Sequence, residues 1–316
     1  MNPLSAIFGA GVATRNSLFD RRILQIKKLA WPVVSIGNIS VGGSGKTPFV
    51  IALGQLLTEH RIAFDVLSRG YGRTSAKIAV VDPNGSPAQF GDEPLLIAQK
   101  LQVPVIVGAD RYQAGLLAEK KFSSKLHLLD DGFQHRRLHR DFDIVLLPAE
   151  DEAGVLLPVG RLREPLSALK RADAVVLSDS PDRPVPGKNL WRARRVMELP
   201  DARNKSIAFS GIGRPRQFLE GLKSSNLELA GIITFRDHHR YDQRDIDRLL
   251  TLQKQTSSDI FITTEKDAIN LGTLSAQLSP LLTARLRIEL ESPQQAFEEI
   301  IKTLEQRTRQ QILARA

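Results

Sequence analysis

Val33-Val34-Ser35-Ile36-Gly37-Asn38-Ile39-Ser40-Val41-Gly42-Gly43-Ser44-Gly45-Lys46-Thr47-Pro48 decides the fold. Its first residues are apolar enough for a buried strand, its middle is a glycine-rich turn, and Lys-Thr-Pro opens a helix. Amides at such a helix start point outward with partial positive charge and attract phosphate. In that geometry Ser40, Val41, Gly42, Gly43, Ser44, Gly45, Lys46 and Thr47 cradle the phosphates of a nucleotide. Lys46 reaches the β- and γ-phosphates, and the Thr47 hydroxyl holds Mg²⁺. The usual pattern G-x-x-x-x-G-K-[ST] has glycine at position 40, where this chain has Ser40. Serine makes that turn if its dihedrals are ordinary. The plainer alternative, a strand-to-helix turn carrying a chance Lys-Thr, has against it the order strand, loop, helix.

Outward from this loop, strands and helices alternate. Phe49 to Leu57 reads as an amphipathic helix with Pro48 in its first turn. Strands are expected at Ile62–Leu67, Lys77–Val81, Val103–Val107, Leu126–Leu129, Phe142–Leu147 and Ala174–Leu177, with helices opening at Gly91-Asp92-Glu93-Pro94 and Asp110. Later strands are expected at Ile207–Phe209, Leu229–Thr234, Ile260–Thr264 and Leu286–Leu290. This alternation predicts α/β layers around mainly parallel sheets. Ser180 to Lys188, rich in Pro and charge, reads as a linker or exposed loop. A boundary between Ser180 and Ser206 therefore divides a phosphate-loop domain, 31–190, from a smaller α/β domain, 191–316.

The chain has 316 residues, 42% of them hydrophobic and 25% charged, which suits a globular protein of about two domains. It has no cysteine, so disulfides and thiolate sites are excluded. A net charge of +9, from 44 Lys+Arg against 35 Asp+Glu, implies an anionic partner: nucleic acid, an acidic membrane surface or a phosphorylated substrate. The arginines are scattered along the chain, so nucleic acid is not indicated. Residues 1–30 combine a short apolar run with Arg15, Arg21, Arg22, Lys27 and Lys28. The run is too short to span a bilayer, which takes ~20 apolar residues, and no basic segment precedes it as in a signal peptide. Either it lies on a bilayer surface with basic residues toward headgroups, or it packs on its own domain.

Several polar residues could carry chemistry. Asp130 and Asp131 end an apolar strand, where a phosphate-loop protein holds its Mg²⁺, although acidic residues also favour ordinary turns. Asp92 is either a helix N-cap or a general base. His238 beside His239 suits a histidine paired with a carboxylate better than a metal site, since adjacent side chains diverge, and reads equally as a pair of surface polar residues. Thr264-Glu265-Lys266-Asp267 is either a site loop or a helix cap. Arg69 and Tyr71 follow a strand end, the edge where open α/β sheets bind ligands. Gln134 and His135 add polar contacts from the same edge. Arg161 and Arg163 could clamp phosphate or sit in solvent.

Taken in order, these segments resemble the tetraacyldisaccharide 4′-kinases, the lipid A kinases of Gram-negative bacteria. The resemblance is carried by the phosphate loop and by Ser68-Arg69-Gly70-Tyr71-Gly72-Arg73, Gly91-Asp92-Glu93-Pro94 and Asp130-Asp131-Gly132-Phe133-Gln134-His135. It continues through Gly160-Arg161-Leu162-Arg163-Glu164-Pro165, Ser210-Gly211-Ile212-Gly213-Arg214-Pro215, Asp237-His238-His239 and Thr264-Glu265-Lys266-Asp267-Ala268. A non-glycine at position 40 is usual in that family. The resemblance implies a P-loop NTPase-like fold and transfer of phosphate from ATP, with Mg²⁺, to the 4′-hydroxyl of tetraacyldisaccharide 1-phosphate. It also implies peripheral attachment to the cytoplasmic face of the bacterial inner membrane. Carried over by residue, it implies Lys46 and Thr47 at ATP and Mg²⁺, Asp130 and Asp131 in the metal shell, and Asp92 as base paired with His238. The acceptor is then expected at Arg69, Tyr71, Gln134, His135, Arg161 and Arg163. If Asp92 and His238 lie on different domains, closure assembles the site.

The rival in another class is a regulatory or metal-delivery GTPase. Thr264-Glu265-Lys266-Asp267 approaches the Asn/Thr-Lys-x-Asp guanine reader but lacks the residue between Lys and Asp. The missing cysteines argue against metal delivery. A partitioning ATPase would have lysine where this chain has Val41.

Overall fold

A computed structural model describes residues 2–151, 154–178, 189–199, 205–225 and 227–313. The chain opens with α1 (Pro3–Asp20), whose first turn is capped by the Asn2 side chain, and reaches β1 (Val33–Asn38), buried at every residue. After the phosphate loop, α2 (Lys46–Glu59) begins at the lysine itself. There follow β2 (Phe64–Ser68), β3 (Ala79–Val80), α3 (Pro87–Phe90), α4 (Asp92–Leu101), β4 (Val105–Val107) and α5 (Arg111–Lys121). Then come β5 (Leu126–Asp130), β6 (Phe142–Pro148) and β7 (Ala174–Ser178). β8 (Asn189–Glu198), β9 (Ser206–Ser210), α6 (Pro215–Ser224), β10 (Leu229–Thr234), α7 (Gln243–Thr256), β11 (Ile260–Thr264), α8 (Glu265–Leu271), β12 (Leu281–Leu290) and α9 (Pro293–Leu313) complete it.

Among the described residues the strands form one twelve-stranded sheet, β10-β9-β11-β12-β8-β7-β6-β1-β5-β2-β4-β3. Every neighbouring pair is parallel except β12 with β8 and β3 with β4. Parallel strands covered on both faces must be apolar along their whole length. β1, β2, β5, β6 and β7 accordingly bury every residue. α2 lays Phe49, Val50, Leu53 and Leu57 on the sheet at helical spacing. Each such side chain contributes about 1.5–3 kcal/mol by leaving water.

The α/β architecture expected from strand–helix alternation is found. β8 is not foreseen, because arginines occupy its middle and the stretch looks like a boundary. It is stabilised from both sides: β7 runs parallel to it and β12 antiparallel, while Trp191 and Ala193 reach the core. The expected strand at Lys77–Val81 shortens to the two residues of β3. The expected linker Ser180–Lys188 lies outside the described residues. α9, from the second half of the chain, returns to the first. Ala296, Ile300 and Leu304 join the core around Phe142 and Ile144, and Arg307 Nη2 meets Asp173 Oδ1 at 2.6 Å. The expected boundary is therefore crossed by one strand's pairing and again by the last helix.

α1 has two unlike faces. One packs on its own chain: Ser5 Oγ donates to Leu156 O at 2.9 Å, and Phe19 is buried between the guanidinium groups of Arg15 and Arg136. The other leaves Leu4 and Ile7 58% and 70% exposed. Among the described residues no helix is long and apolar enough to cross a membrane.

Candidate active site

The loops after β1, β2 and β5 leave the carboxyl edge of the sheet, where ligands bind in open α/β folds. The loops after β9, β10 and β11 meet them across a cavity of about 800 Å³. Val41 to Thr47, Arg69, Tyr71, Asp130, Asp131, Arg163 and His238 all line it. Cavities of this size suit a cofactor or a drug-sized ligand.

The phosphate loop turns through Gly42, Gly43 and Gly45, all at positive φ. A Cβ on Gly43 would stand 2.4 Å from Arg214 Cγ, so the second half of the chain lies directly against the loop. Ser40 is not among the positive-φ residues, which is why serine is accommodated there. Its side chain faces inward: Ser40 Oγ donates to Asp151 Oδ2 at 2.5 Å. Asp151 in turn receives Arg214 Nη2 at 2.9 Å, with both side chains almost fully buried. The loop is thereby tied to both halves of the fold.

Lys46 Nζ lies 3.1 Å from Asn38 Oδ1 and 3.3 Å from Asp131 Oδ1. Arg163 Nη1 reaches the other Asp131 oxygen at 3.3 Å. Burial opposes ionisation of Asp131, but Lys46 and Arg163 outweigh it and hold its carboxyl below the usual range. Asp130 is the reverse case. Its Oδ2 accepts from Ser68 Oγ at 2.9 Å, while Oδ1 is buried with no hydrogen-bond partner among the described residues. Burial, then the charges of Glu93 and Asp131, push it up to about 7. An ionised carboxylate in such a position wants a cation. No group of three or more His, Asp or Glu side chains among the described residues forms a self-sufficient metal cage. That donor set fits Mg²⁺, which usually takes one or two protein ligands and completes its shell with water and phosphate oxygens.

Asp92 is the first residue of α4. The N-cap is Gly91, held at φ 92° with a Cβ position 2.9 Å from Tyr71 O. Asp92 is therefore not the cap, and its buried carboxylate is turned to other partners. Oδ2 receives His238 Nδ1 at 3.0 Å and Asn270 Nδ2 at 3.1 Å, with Lys266 Nζ 3.6 Å away. Burial would raise its pKa, but the His238 bond and the Lys266 charge outweigh burial and bring it down to about 2. His238 sits at φ 57°, a costly conformation for a residue with a side chain, and its amide donates to Gly211 O at 3.1 Å. Burial works against its protonation, but the Asp92 bond prevails and raises its pKa. The Tyr71 ring lies beside it, with centroids 4.9 Å apart.

Not every expected residue faces the cavity. Gln134 Nε2 donates to Asn38 O at 2.8 Å and to Glu164 Oε1 at 3.2 Å, bracing the end of β1. Arg161 Nη2 donates to Val41 O at 2.9 Å and so supports the phosphate loop from behind. His135 is pushed down to about 4 by burial and then by Arg111, and is neutral. None of the three lines the cavity, and neither do Ser40 and the buried Asp92, although its partner His238 does. The residues that sequence reasoning left unassigned are the ones joining the halves: Glu93, Asp151, Arg214, Asn270 and Lys266. Thr264-Glu265-Lys266-Asp267 both caps α8 and lines the cavity. Thr264 Oγ1 accepts from Asp267 N at 3.1 Å, and Lys266 enters the cavity.

Residues 1–306 match the family model for LpxK, tetraacyldisaccharide-1-P 4′-kinase. A tetraacyldisaccharide 4′-kinase of Koribacter versatilis is 52% identical, across 97% of this chain and 99% of its own. One of Aquifex aeolicus is 41% identical, across 85% and 88%. Among solved structures, LpxK from Aquifex aeolicus in complex with ATP superposes with a TM-score of 0.78 at 35% identity, covering 96% of this chain and 98% of that one.

Proposed function

The chain belongs to the tetraacyldisaccharide 4′-kinase family, and we propose that the cavity between the phosphate loop and α8 is where its reaction takes place. The protein is an ATP-dependent kinase that phosphorylates the 4′-hydroxyl of tetraacyldisaccharide 1-phosphate in lipid A biosynthesis. The observation that carries the site assignment is the 3.0 Å pair of Asp92 and His238, from opposite halves of the chain, with His238 lining the same cavity as Lys46 and Asp130.

In this assignment the amides from Val41 to Thr47 bind the ATP phosphates, and Lys46 exchanges its Asp131 contact for the β- and γ-phosphates. Thr47 and Asp130, with Asp131 adjacent, would hold Mg²⁺, which when bound would supply neutralisation of phosphate charge. Asp92 takes the proton of the 4′-hydroxyl as that oxygen bonds to the γ-phosphorus. The bond from the γ-phosphorus to the bridging oxygen breaks, and ADP leaves. A carboxylate at about 2 is a weak base, so proton transfer comes late, once the hydroxyl has begun to bond. His238 keeps the carboxylate aimed. Arg69, Tyr71 and Arg163 face the acceptor, while Gln134, His135 and Arg161 support its walls.

The lipid reaches this site from a membrane surface. Leu4 and Ile7 of α1 are exposed, as are Val155 and Val159 in the segment whose Leu156 packs on Gly9 and accepts from Ser5. Arg21 and Arg22, exposed just past the end of this helix, suit anionic headgroups. This supports peripheral attachment to the cytoplasmic face of the inner membrane, where ATP is available. Purified protein given γ-labelled ATP, Mg²⁺ and tetraacyldisaccharide 1-phosphate in detergent should transfer label to the lipid. Absence of transfer, with a control kinase active, would refute the assignment.

A further inference from the structure

We propose that Lys266 is a positioning residue for this reaction: its ammonium closes off the Nε2 side of His238, so that the ring must present Nδ1–H to Asp92. The proposal rests on Asp92 being the base.

Lys266 Nζ lies 3.3 Å from His238 Nε2. An ammonium has three donors and no acceptor, so a contact at that distance requires Nε2 to carry a lone pair. The single ring proton is then on Nδ1, 3.0 Å from Asp92 Oδ2. A neutral imidazole chooses its tautomer from the hydrogen bonds available, and here both nitrogens receive the same instruction. Without the ammonium, Nε2 would face Asp237 Oδ2 at 3.9 Å and would gain a proton as well, leaving Asp92 beside an imidazolium whose charge weakens it as a base.

The ammonium cannot easily turn away. It lies 3.2 Å from Glu93 Oε1, 3.6 Å from Asp92 Oδ2 and 3.7 Å from Asp237 Oδ1, and its side chain is 17% exposed. Those carboxylates outweigh the effect of burial and raise its pKa, so it stays charged across the physiological range. Its backbone is also fixed. Asp267, fully buried, accepts from Gly211 N at 2.9 Å and from Tyr241 Oη at 2.9 Å, and Gly211 O receives the His238 amide. Lysine and histidine are thus anchored to the same short segment. On the far side, Asn270 of α8 bonds Asp92, and Glu265 pairs with Lys100 of α4. The groups facing His238 are therefore Asp92 and Glu93 from α4, Asp237 beside it, Lys266 from α8 and the Tyr71 ring from the loop after β2.

The test uses the full-length protein with ¹⁵N-labelled histidine. The chain has six histidines, and His238→Gln assigns the resonances of this one. In wild type at pH 8, His238 should show a protonated Nδ1 and an unprotonated Nε2. An Nε2–H tautomer there would overturn the proposal without any variant. Lys266→Met should move His238 to a doubly protonated ring at that pH and lower kcat about tenfold or more, with ATP still bound. Lys266→Arg, which restores the charge, should recover the tautomer and part of kcat. Unchanged His238 nitrogens in Lys266→Met would also overturn it. Activity surviving in Asp92→Asn would instead remove the base assignment, and the nitrogen shifts would still report on Lys266.

Discussion

His238 Nδ1 stands 3.0 Å from Asp92 Oδ2 although 146 residues separate them, and the contact joins α4 to the loop that follows β10. The left-handed backbone of His238 spends conformational energy to make it, which a surface histidine would have no reason to do.

Asp92→Asn keeps the shape of this pair and removes its basicity. Turnover should fall about 10²–10⁴-fold, the usual contribution of a positioned base. Nucleotide affinity should stay near wild type, because the polar partners of Asp92 are His238, Asn270 and Lys266 and not the phosphate loop. Equilibrium binding of ATP beside steady-state rates separates the two. A variant that binds ATP and turns over normally would remove Asp92 from the chemistry.

The same contact sets a pH dependence. The folded pKa of His238 is raised above 6.5, so the folded state holds its proton more tightly than the unfolded chain. Its contribution is complete below about pH 6.5 and fades as pH rises through the folded value. The urea midpoint of wild type minus that of His238→Gln should therefore shrink from pH 6 to pH 9. A difference that grows over that range would show the opposite linkage.

Sequence order alone located the phosphate loop, the acidic end of β5 and the ligand edge, because each is a local pattern of glycine, charge and apolar run. Asp92 was ambiguous, since a carboxylate at a helix start looks the same whether it caps or catalyses; the Gly91 cap and the His238 contact, visible only in the fold, are what favour the second reading. Asp151 gave no local signal, and Arg214 and Lys266 stood in segments singled out by pattern without a role of their own. A buried charge whose partner is distant in sequence looks like a solvated surface charge until the chain is folded. β8 was hidden for the same reason: its arginines concealed a strand that two neighbours hold in place.

Arg214 and Asp151 form a buried pair that ties the second half of the chain to the phosphate loop. Arg214→Ala leaves the carboxylate buried and uncompensated, and should cost about 3–5 kcal/mol of stability. Adding Asp151→Asn should restore a substantial part, because the stranded charge is gone. The Glu150 contact is exposed on one side and contributes little. A double-mutant cycle by urea denaturation gives the coupling, and simple additivity would mean the pair does no stabilising work.

Asp130 is raised to about 7 by burial and by its acidic neighbours, so its ionised form is a burden to the protein without a cation. Asp130→Asn should raise the melting temperature at pH 8 in EDTA, by roughly 2–4 °C for each kcal/mol relieved. It should also abolish turnover. Added Mg²⁺ should stabilise wild type and leave Asp130→Asn unmoved. Equal stabilisation of both would take the metal away from this carboxylate.

Leu4 and Ile7 expose most of their surface, whereas Ser5 and Phe19 are buried and hold the same helix in place. Leu4→Asp with Ile7→Asp therefore changes the outer face and spares the inner one. Each side chain would contribute about 1.5–3 kcal/mol on entering an apolar layer. Losing two should weaken binding to anionic phospholipid vesicles at least about tenfold. Turnover on detergent-dispersed substrate should be unchanged, since the cavity is untouched. Flotation of wild type and variant with the same vesicles measures the first, and the labelled-ATP assay the second. Equal flotation would mean that α1 packs only on its own protein, and that the basic surface alone meets the membrane.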